Sequence, residues 1–395
     1  MRILYVYDGD WPRGATRVEK QTRSLARAGH RVYLLARNSD GAPRREHTEW
    51  MTVLRLPSVS IRWVNRILNF PLFVSPVWLW CLRQAARTTR PDCIIVCDLP
   101  LALSAIWLAG SLGIPVHYDM AEVYPEFLRS RWEVDRMRWS DRLVRNPAAA
   151  AWVERKVLPR VRKIFVVSEE SRARCMALGV GPERVVLVGN TPAPFCESSH
   201  DVMLPLDLLR WRHHRKVLFV GTLIADRGVV QAVEAMRRVL EHVPDAVLVI
   251  VGDGPDRRRI ESTIVKHDLR EHVALLGWRD HSVLPRYYAN ADVGLLPFLD
   301  SSHVRITLAN KLFDYMAAGL ACVAADVPPM RRLLQETGAG LLFPPGDVSA
   351  LAQRITELLR DDRGRALYGS RGRAAVRGKY SWRADEERFL AAIEP

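Results

Sequence analysis

Short apolar runs alternate with longer stretches in which apolar residues recur every three or four positions along this 395-residue chain. The short runs end at glycine, proline or charged residues, which is typical of buried strands, and the periodic stretches predict amphipathic helices. Strands that alternate with helices in this way predict parallel sheets of the doubly wound α/β class. The expected strands are 2–7, 31–37, 51–56, 91–97, 115–120, 163–168, 184–190, 216–221, 246–252, 272–277, 291–297, 321–326 and 340–345.

The alternation lapses after Asn190, where prolines, serines and charged residues replace the apolar pattern. Such a composition is typical of a linker. We therefore expect two Rossmann-like domains, 1–195 and 215–378, joined by 196–214. A last periodic segment, 379–395, has an apolar face with no evident use in the second sheet, so we expect a terminal helix that packs elsewhere.

The segment Asn310–Gly319 has the most specific arrangement of polar groups. Its apolar residues recur at helical spacing, and Gly319 is a natural helix stop before a buried strand. Asn310 and Lys311 fall in the first turn, where free N–H groups and a partial positive charge favour a phosphate. Asp314 lies one turn on and would accept hydrogen bonds from ribose hydroxyls. The same Lys–Asp spacing also fits an ordinary surface ion pair.

Polar loops follow three other strands of the second half, at the sheet edge where open α/β folds bind ligands. The first loop begins with Gly221 and Thr222 and places Arg227 beside a helix start, which predicts a phosphate site. The second contains Gly252 and Asp253 in a tight turn before another helix. Glycine turns end most parallel strands, but loops of this kind in series predict a nucleoside-diphosphate site.

The third loop, Gly277-Trp278-Arg279, offers backbone groups and a planar side chain on which a flat base would stack. In the first half, Gly14 follows the first strand and allows a ligand to approach the backbone closely. Its loop lacks the GxGxxG spacing of dinucleotide sites. No Asp/His cluster has the spacing of metal ligands, so we expect no metal.

The formal net charge of +14 is unevenly distributed. Residues 1–195 carry 30 basic and 18 acidic side chains, giving +12, whereas residues 196–395 carry 28 and 26, giving +2. This difference predicts an acidic partner for the first domain. The six cysteines are scattered without metal-type spacing, and we expect them to be reduced core residues of a cytosolic protein. The chain begins directly with a strand-like run, so secretion through an apolar signal segment is not expected.

Tryptophan and arginine interleave in two irregular stretches of the first half, 61–90 and 129–160. The first includes Trp63, Trp78 and Trp80, and its least polar part is too short to span a membrane. Both residue types suit the headgroup layer of an anionic membrane, although tryptophans of this kind also occur as core residues. We expect a peripheral protein held on the cytoplasmic face of the cell membrane.

Two more loops, 119–126 and 167–171, accompany the segments 221–228, 251–255, 277–278 and 310–319. In these six segments the chain resembles the GT-B-fold glycosyltransferases of family 4. The resemblance covers essentially the whole chain and is strongest to bacterial members that act in polysaccharide or glycolipid assembly.

The resemblance implies two Rossmann-like domains that face each other across a cleft, with the segment 379–395 crossing back to the first. The acceptor, lipid-linked or a polysaccharide precursor, would bind the first domain, and a UDP-linked sugar the second. No metal or cofactor is implied, because Arg227, Lys311 and a helix N-terminus would stabilise the leaving diphosphate. Asp119 or Glu122 would orient the acceptor or the sugar.

Three positions depart from the family pattern. Thr222 stands where an arginine is common, Ile306 where many members have the first of two glutamates, and Ala121 where many have a histidine. Family members retain configuration at the sugar carbon, but a carboxylate in the 119–126 loop would also serve an inverting enzyme as general base. Retention and inversion therefore both stay open.

Three other classes of protein fit parts of the sequence. A nucleotide-sugar epimerase of the same fold would turn over the donor without an acceptor. A nucleic-acid-binding protein would explain the basic first half, but the chain has no motif of that class. A nicotinamide dehydrogenase is disfavoured because neither domain begins with the three-glycine turn.

Overall fold

Two mainly parallel β-sheets carry the fold of this protein in a computed structural model that describes residues 1–12, 14–61, 63–65, 70, 73–134, 145–192 and 203–394. The described residues divide into two compact units. The first contains 1–129, 145–189 and 385–394, and the second contains 130–134, 190–192 and 203–384. Residues 193–202, which include the first seven residues of the predicted linker 196–214, lie outside the described residues.

The first unit has an eight-stranded sheet in the order β3-β4-β2-β1-β5-β6-β7-β8. Its strands are β1 (Arg2–Asp10), β2 (Arg31–Arg37), β3 (Arg45–His47), β4 (Met51–Arg55), β5 (Cys93–Cys97), β6 (Val116–Met120), β7 (Lys163–Val166) and β8 (Val185–Leu187). The strand pairs are parallel except for β3, which runs antiparallel to β4. The helices that the structure describes in this half are α1 (Thr16–Arg27), α2 (Pro76–Thr89), α3 (Ala102–Leu112), α4 (Tyr124–Val134), α5 (Pro147–Val157) and α6 (Glu169–Ala177).

The second unit has a six-stranded parallel sheet in the order β11-β10-β9-β12-β13-β14. Its strands are β9 (Arg215–Val220), β10 (Ala246–Val251), β11 (Val273–Gly277), β12 (Val293–Leu296), β13 (Ala321–Ala325) and β14 (Gly340–Phe343). The helices that follow them are α7 (Val229–Leu240), α8 (Arg257–Lys266), α9 (Leu284–Ala289), α10 (Asn310–Ala318), α11 (Pro328–Thr337), α12 (Val348–Arg360), α13 (Asp362–Arg377) and α14 (Trp382–Ile393). The predicted α/β class with Rossmann-like sheets is confirmed.

The chain order reverses beside the first strand of each sheet, between β1 and β5 and between β9 and β12. Open parallel sheets bind ligands at such switch points because the loops on the two sides diverge there. In the second unit β9 and β12 pair over only two residues before they separate. The hydroxyl of the buried Tyr315 then accepts a hydrogen bond of 2.9 Å from the Val220 N–H, so this strand end keeps a partner.

The last helix, α14, packs its end on the first sheet. Phe389 is completely buried, and its ring lies 5.0 Å from that of Phe165 on β7. The Arg388 Nε donates a hydrogen bond of 2.9 Å to the Leu187 carbonyl oxygen. The residues from 385 onward are therefore part of the first unit.

The tryptophans of the first half divide between core and surface. Trp78 is completely buried on α2, so it is a core residue and not a surface anchor. Trp63, Trp80 and Trp152 are exposed over at least half of their area. Part of each tryptophan–arginine stretch, including Trp139, lies outside the described residues. No helix in the described part of the chain has the length and apolar character needed to cross a membrane.

The described cysteines are buried and none is in a disulfide. Their burial agrees with the expectation of core residues. Cys196 lies outside the described residues.

Candidate active site

The start of α10 brings together two of the predicted site residues. Lys311 Nζ lies 2.7 Å from Asp314 Oδ2, an ion pair across three residues of the helix. The two side chains are only 24% and 16% exposed, so the pair lies in a partly desolvated place and not on the open surface. Asn310 begins the helix and is exposed. The N–H groups of this first turn have no side-chain cap and point toward the carboxyl edge of the sheet.

Tyr288, from α9, completes this group and was not predicted from the sequence. Its hydroxyl lies 3.4 Å from Lys311 Nζ and 3.3 Å from Asp314 Oδ2. Burial and the neighbouring Asp314 charge raise the pKa of Tyr288 far above its usual range, so the hydroxyl stays protonated and donates to the carboxylate. Asp314 Oδ2 thus accepts two hydrogen bonds, and Oδ1 is left for a ligand.

Arg227 lies on the turn that precedes α7. Its guanidinium stacks over the Phe298 ring, 4.4 Å from the ring centroid, and Nε is 3.8 Å from Asp226 Oδ1. Stacking fixes the plane of the guanidinium without using its N–H groups. Most of its donors are therefore free for an anion such as a phosphate.

Close backbone contact explains the glycine of this loop. Gly228 has a φ of +65°, and a Cβ at this position would overlap the carbonyl oxygen of Pro297. The Leu299 N–H also donates a hydrogen bond of 2.8 Å to the Asp226 carbonyl oxygen. The loops after β9 and β12 are thereby fixed to each other, and this holds Arg227 over Phe298.

The loops after β9 and β10 interlock in the same way. A Cβ on Gly252 would overlap the Gly221 carbonyl oxygen, so glycine is required for packing between the loops. Thr222 is exposed at the tip of the first loop. Asp253, also exposed, accepts a hydrogen bond of 2.8 Å from the Gly254 N–H and stabilises its own turn. Thr222 therefore has an exposed hydroxyl that a ligand could reach.

Trp278 and Arg279 have different environments. The Trp278 side chain is 57% exposed beside β11 and presents a flat surface for a base. Arg279 binds Asp207 Oδ2 at 2.9 Å and the Tyr287 hydroxyl at 3.2 Å. These hydrogen bonds raise the pKa of Arg279, and the bond to Asp207 has the larger effect. Arg279 thus connects the turn at 206–211 to α9, and of the two side chains only Trp278 keeps an exposed flat surface.

Asp119, at the end of β6, is a buried structural group. Arg17 contacts both carboxylate oxygens and comes within 2.6 Å of Oδ1. The Tyr5 hydroxyl and the Gln21 amide donate to Oδ2 at 2.9 and 3.0 Å. Asp119 is completely buried, and its oxygens are occupied by these donors. It positions α1 and is poorly suited to take a proton from a substrate.

Asp98, which was not predicted from the sequence, lies beside Glu122, the other predicted carboxylate of the first unit. Its Oδ1 accepts a hydrogen bond of 3.0 Å from the Glu122 N–H. Burial, then the charges of Asp8 and Glu122, raise the pKa of Asp98 well above its usual range. Asp8, on the adjacent strand, has its pKa raised by burial to about 6 although Arg37 opposes the shift. The recognisable signal was an acid directly after the apolar strand 93–97.

Gly14 lies at the same edge of the first sheet as Asp8. It has a φ of +71°, and nothing would contact a Cβ placed there. Glycine is needed for this backbone conformation and leaves open space above the loop. The described residues contain no group of three or more His, Cys, Asp and Glu side chains arranged to hold a metal.

Comparison with known proteins assigns the chain to a family. The model for "Glycosyl transferase 4-like domain" matches residues 14–191, and the model for "Glycosyl transferases group 1" matches residues 214–361. A phosphatidyl-myo-inositol mannosyltransferase from Mycolicibacterium smegmatis is 31% identical over 184 residues, which are 46% of this chain and 46% of that protein. The chain thus spans about half the length of such relatives.

Solved structures share the whole architecture. Sucrose-phosphate synthase from Thermosynechococcus elongatus has a TM-score of 0.78 at 20% identity, covering 99% of this chain and 98% of its own. HepE from Anabaena, in complex with UDP-glucose, has a TM-score of 0.72 at 16% identity, covering 100% and 99%. At these identities the likeness shows the fold. Together with the family models, it establishes that the chain belongs to the family-4 glycosyltransferases of the GT-B fold.

Proposed function

We propose that this chain transfers a sugar from a UDP-sugar to a lipid-linked or polysaccharide-precursor acceptor, without a metal and with retention of configuration. The observation that carries the proposal is the group at the carboxyl edge of the second sheet. There Lys311 is positioned by Asp314 and Tyr288 at a helix start, and Arg227 is positioned by Phe298. Fixed positive groups of this kind stabilise charge as it develops on a leaving diphosphate.

Donor binding would use Lys311, Asp314 and the ring of Trp278 for different parts of the nucleotide. Lys311 has three N–H donors, of which Asp314 and Tyr288 take two, so the third is available to a phosphate oxygen. Asp314 Oδ1 would accept from a ribose hydroxyl. The exposed ring of Trp278 would stack on the base. The UDP-glucose complex of the structurally similar HepE supports the choice of a uridine nucleotide.

The acceptor side is proposed to involve the first unit. The hydrogen bonds to Asp119 leave Glu122 and Asp98 as the carboxylates that would contact an acceptor hydroxyl. Inversion would require one of them as a general base. We favour retention because it is the outcome that the family resemblance implies. The anomeric configuration of the product, measured by NMR, distinguishes the two.

We also propose that the enzyme acts on the cytoplasmic face of the cell membrane as a peripheral protein. The +12 charge of residues 1–195 and the exposed Trp63, Trp80 and Trp152 favour an anionic bilayer surface. The name of the mannosyltransferase relative includes a phospholipid, which is consistent with a lipid acceptor.

A thermal-shift screen with UDP, GDP and ADP and their glucose conjugates tests the donor proposal. Uridine nucleotides should raise the melting temperature, because a ligand at 100 times its Kd adds about 2.7 kcal/mol to stability. The others should not. In transfer assays with the best donor, turnover should then occur only when an acceptor is present. Conversion of the donor without any acceptor would indicate an epimerase and overturn the proposal, as would a screen in which no nucleotide shifts the melting temperature.

A further inference from the structure

We propose that a pocket between α2 and α3, at the amino-terminal edge of the first sheet, binds the phosphate of an anionic phospholipid in the membrane surface. This inference rests on the proposed peripheral membrane location, and it adds a specific lipid site and a specific face. The site is separate from the donor-binding group, which is in the other unit.

The pocket has the size and composition of a headgroup site. Its volume is about 560 Å³, within the usual range for small-ligand pockets. Arg83, Arg87 and Arg90 provide its charged side, and Leu108 and Leu112 are among its apolar lining. A phosphate bearing a glycerol or acyl segment presents the matching combination of charge and apolar surface.

The three arginines have no anionic partner in the part of the chain that the structure describes. The sequences of α2 and α3 contain no Asp or Glu. The nearest carboxylate along the chain, Asp92, is bound by Arg2 at 3.2 Å. The arginines therefore face the pocket with their donors unused.

An alternative role for these arginines is to neutralise the ends of the two helices. The pocket lies where α2 and α3 end, and each helix C-terminus carries about half a negative charge. Two helix ends together amount to about one negative charge. Three guanidinium groups exceed this by about two positive charges, which is more than enough to neutralise the single negative charge of a lipid phosphodiester. Neutralisation of the helix ends thus accounts for only part of the cluster.

Exposed aromatic residues continue this face toward the starts of both helices. Trp80 and Trp107 are 50% and 55% exposed. Trp80 lies three residues before Arg83 on α2, and Trp107 lies four residues before Ser111 on α3, so each indole is one turn from a pocket residue. Indole rings prefer the interfacial layer of a bilayer. This places a phosphate site and two interfacial anchors on adjacent helices.

The bound lipid would anchor the protein without occupying the carboxylate cluster of the first unit. The pocket lies before β5, beside Pro91, whereas Asp98 follows the same strand. Seven residues of extended chain span about 23 Å. We therefore infer a membrane anchor and not an acceptor site.

Flotation with vesicles of phosphatidylcholine, with and without phosphatidylglycerol, tests the proposal. Variants are Arg83→Gln/Arg87→Gln/Arg90→Gln and, separately, Trp80→Ala/Trp107→Ala. The matched control is Arg258→Gln/Arg259→Gln/Arg363→Gln, which removes three exposed arginines of the second unit. Wild type should bind only the anionic vesicles. The pocket variant should bind about a hundredfold more weakly, since each basic residue contributes about a fivefold factor near an anionic surface, and the control should bind like wild type.

Equal weakening in the pocket variant and the control would overturn the proposal in favour of general charge attraction. Unchanged binding of the pocket variant would overturn it as well. Glycerol 1-phosphate is the soluble probe, and a calorimetric signal that depends on the three arginines without vesicle binding would identify a free phosphate ligand instead of a lipid. The far-UV circular dichroism and the melting temperature of each variant, compared with those of wild type, confirm folding. If wild type did not bind UDP, that result would contradict the proposed function and leave the lipid test unaffected.

Discussion

The division of one carboxylate between two tasks is the main residue-scale feature of the donor group. Asp314 uses Oδ2 to accept from Lys311 and Tyr288, and we propose that Oδ1 accepts from a ribose hydroxyl. The sequence predicted the Lys–Asp pair because helical spacing places i and i+3 together. It did not predict Tyr288, which is 23 residues from Lys311 and reaches the pair only through the packing of α9 against α10.

A double-mutant cycle should show that Lys311 and Asp314 act as a unit. We predict that Lys311→Ala lowers turnover by orders of magnitude because it removes a fixed charge from the leaving diphosphate. Asp314→Ala should weaken UDP binding by about 1.5–3 kcal/mol, the usual contribution of a charge-assisted hydrogen bond. The double variant should lose less than the sum. Calorimetry with UDP and steady-state rates provide the measurements, and near-normal turnover of Lys311→Ala would refute the assignment.

His117 should make the first unit sensitive to acid. It is buried on β6 and stacks on Phe165 with ring centroids 6.1 Å apart. Burial, followed by the charges of Arg162 and Lys163, lowers the pKa of His117 from 6.5 to about 4. As pH falls, the unfolded chain therefore takes up the proton first. This contribution to stability is complete above about pH 6.5 and is lost by about pH 4.

The variant His117→Phe isolates this effect, because other titrating groups are common to both proteins. Between pH 7 and pH 5, wild type should lose about 2 kcal/mol more unfolding free energy than the variant. Urea unfolding of the first unit, followed at both pH values, is the measurement. If the two proteins lose the same amount, His117 is not the buried neutral group described here.

At the scale of elements, the strands follow from their apolar runs. Every strand predicted from the sequence is present, with ends shifted by a few residues. The short β3 was missed because Arg45, Glu46 and His47 form a polar edge strand, held by pairing with β4 and not by burial. The glycine loops were predicted correctly in position, but their interlocking depends on which strands are neighbours in the sheet. Sequence order does not reveal that arrangement.

Gly228→Ala tests the contact between the loops after β9 and β12. The positive φ alone costs alanine about 1–2 kcal/mol, and the overlap with the Pro297 carbonyl oxygen adds to it. We predict a lower melting temperature for the second unit and weaker UDP binding, because Arg227 loses its support. The control is Gly110→Ala, a helical position on α3 with open space, which should stabilise by about 1 kcal/mol. A melting temperature of Gly228→Ala equal to wild type would exclude the contact.

At the scale of the whole molecule, charge is divided by task. The half that is proposed to meet the membrane and acceptor has nearly all of the net positive charge. The half proposed to bind the donor is almost neutral, and its positive charge at the site comes from two individually positioned side chains, Arg227 and Lys311. Composition predicted this division of charge. It did not show which arginines pair with carboxylates, because that depends on the tertiary structure: Arg279 pairs with Asp207, whereas Arg83 lines the pocket and has no such partner among the described residues.

Transfer should continue in EDTA. Arg227, Lys311 and the start of α10 already supply positive charge for a diphosphate, so an additional cation is not required. The measurement is the initial rate before and after chelation, with magnesium or manganese added back. A rate that collapses and recovers on adding a metal would contradict this prediction.

The route of the chain through α14 has a consequence for biosynthesis. The ribosome completes all eight strands of the first sheet before it begins the second sheet, yet Phe389 is made only after the second sheet is complete. Until then the Phe165 ring on β7 lacks its apolar neighbour, and a nascent chain exposes a hydrophobic surface that favours aggregation. The first sheet is thus synthesised first but completes its packing only after the second sheet has been made, and truncation before residue 385 would harm the half that was translated earliest.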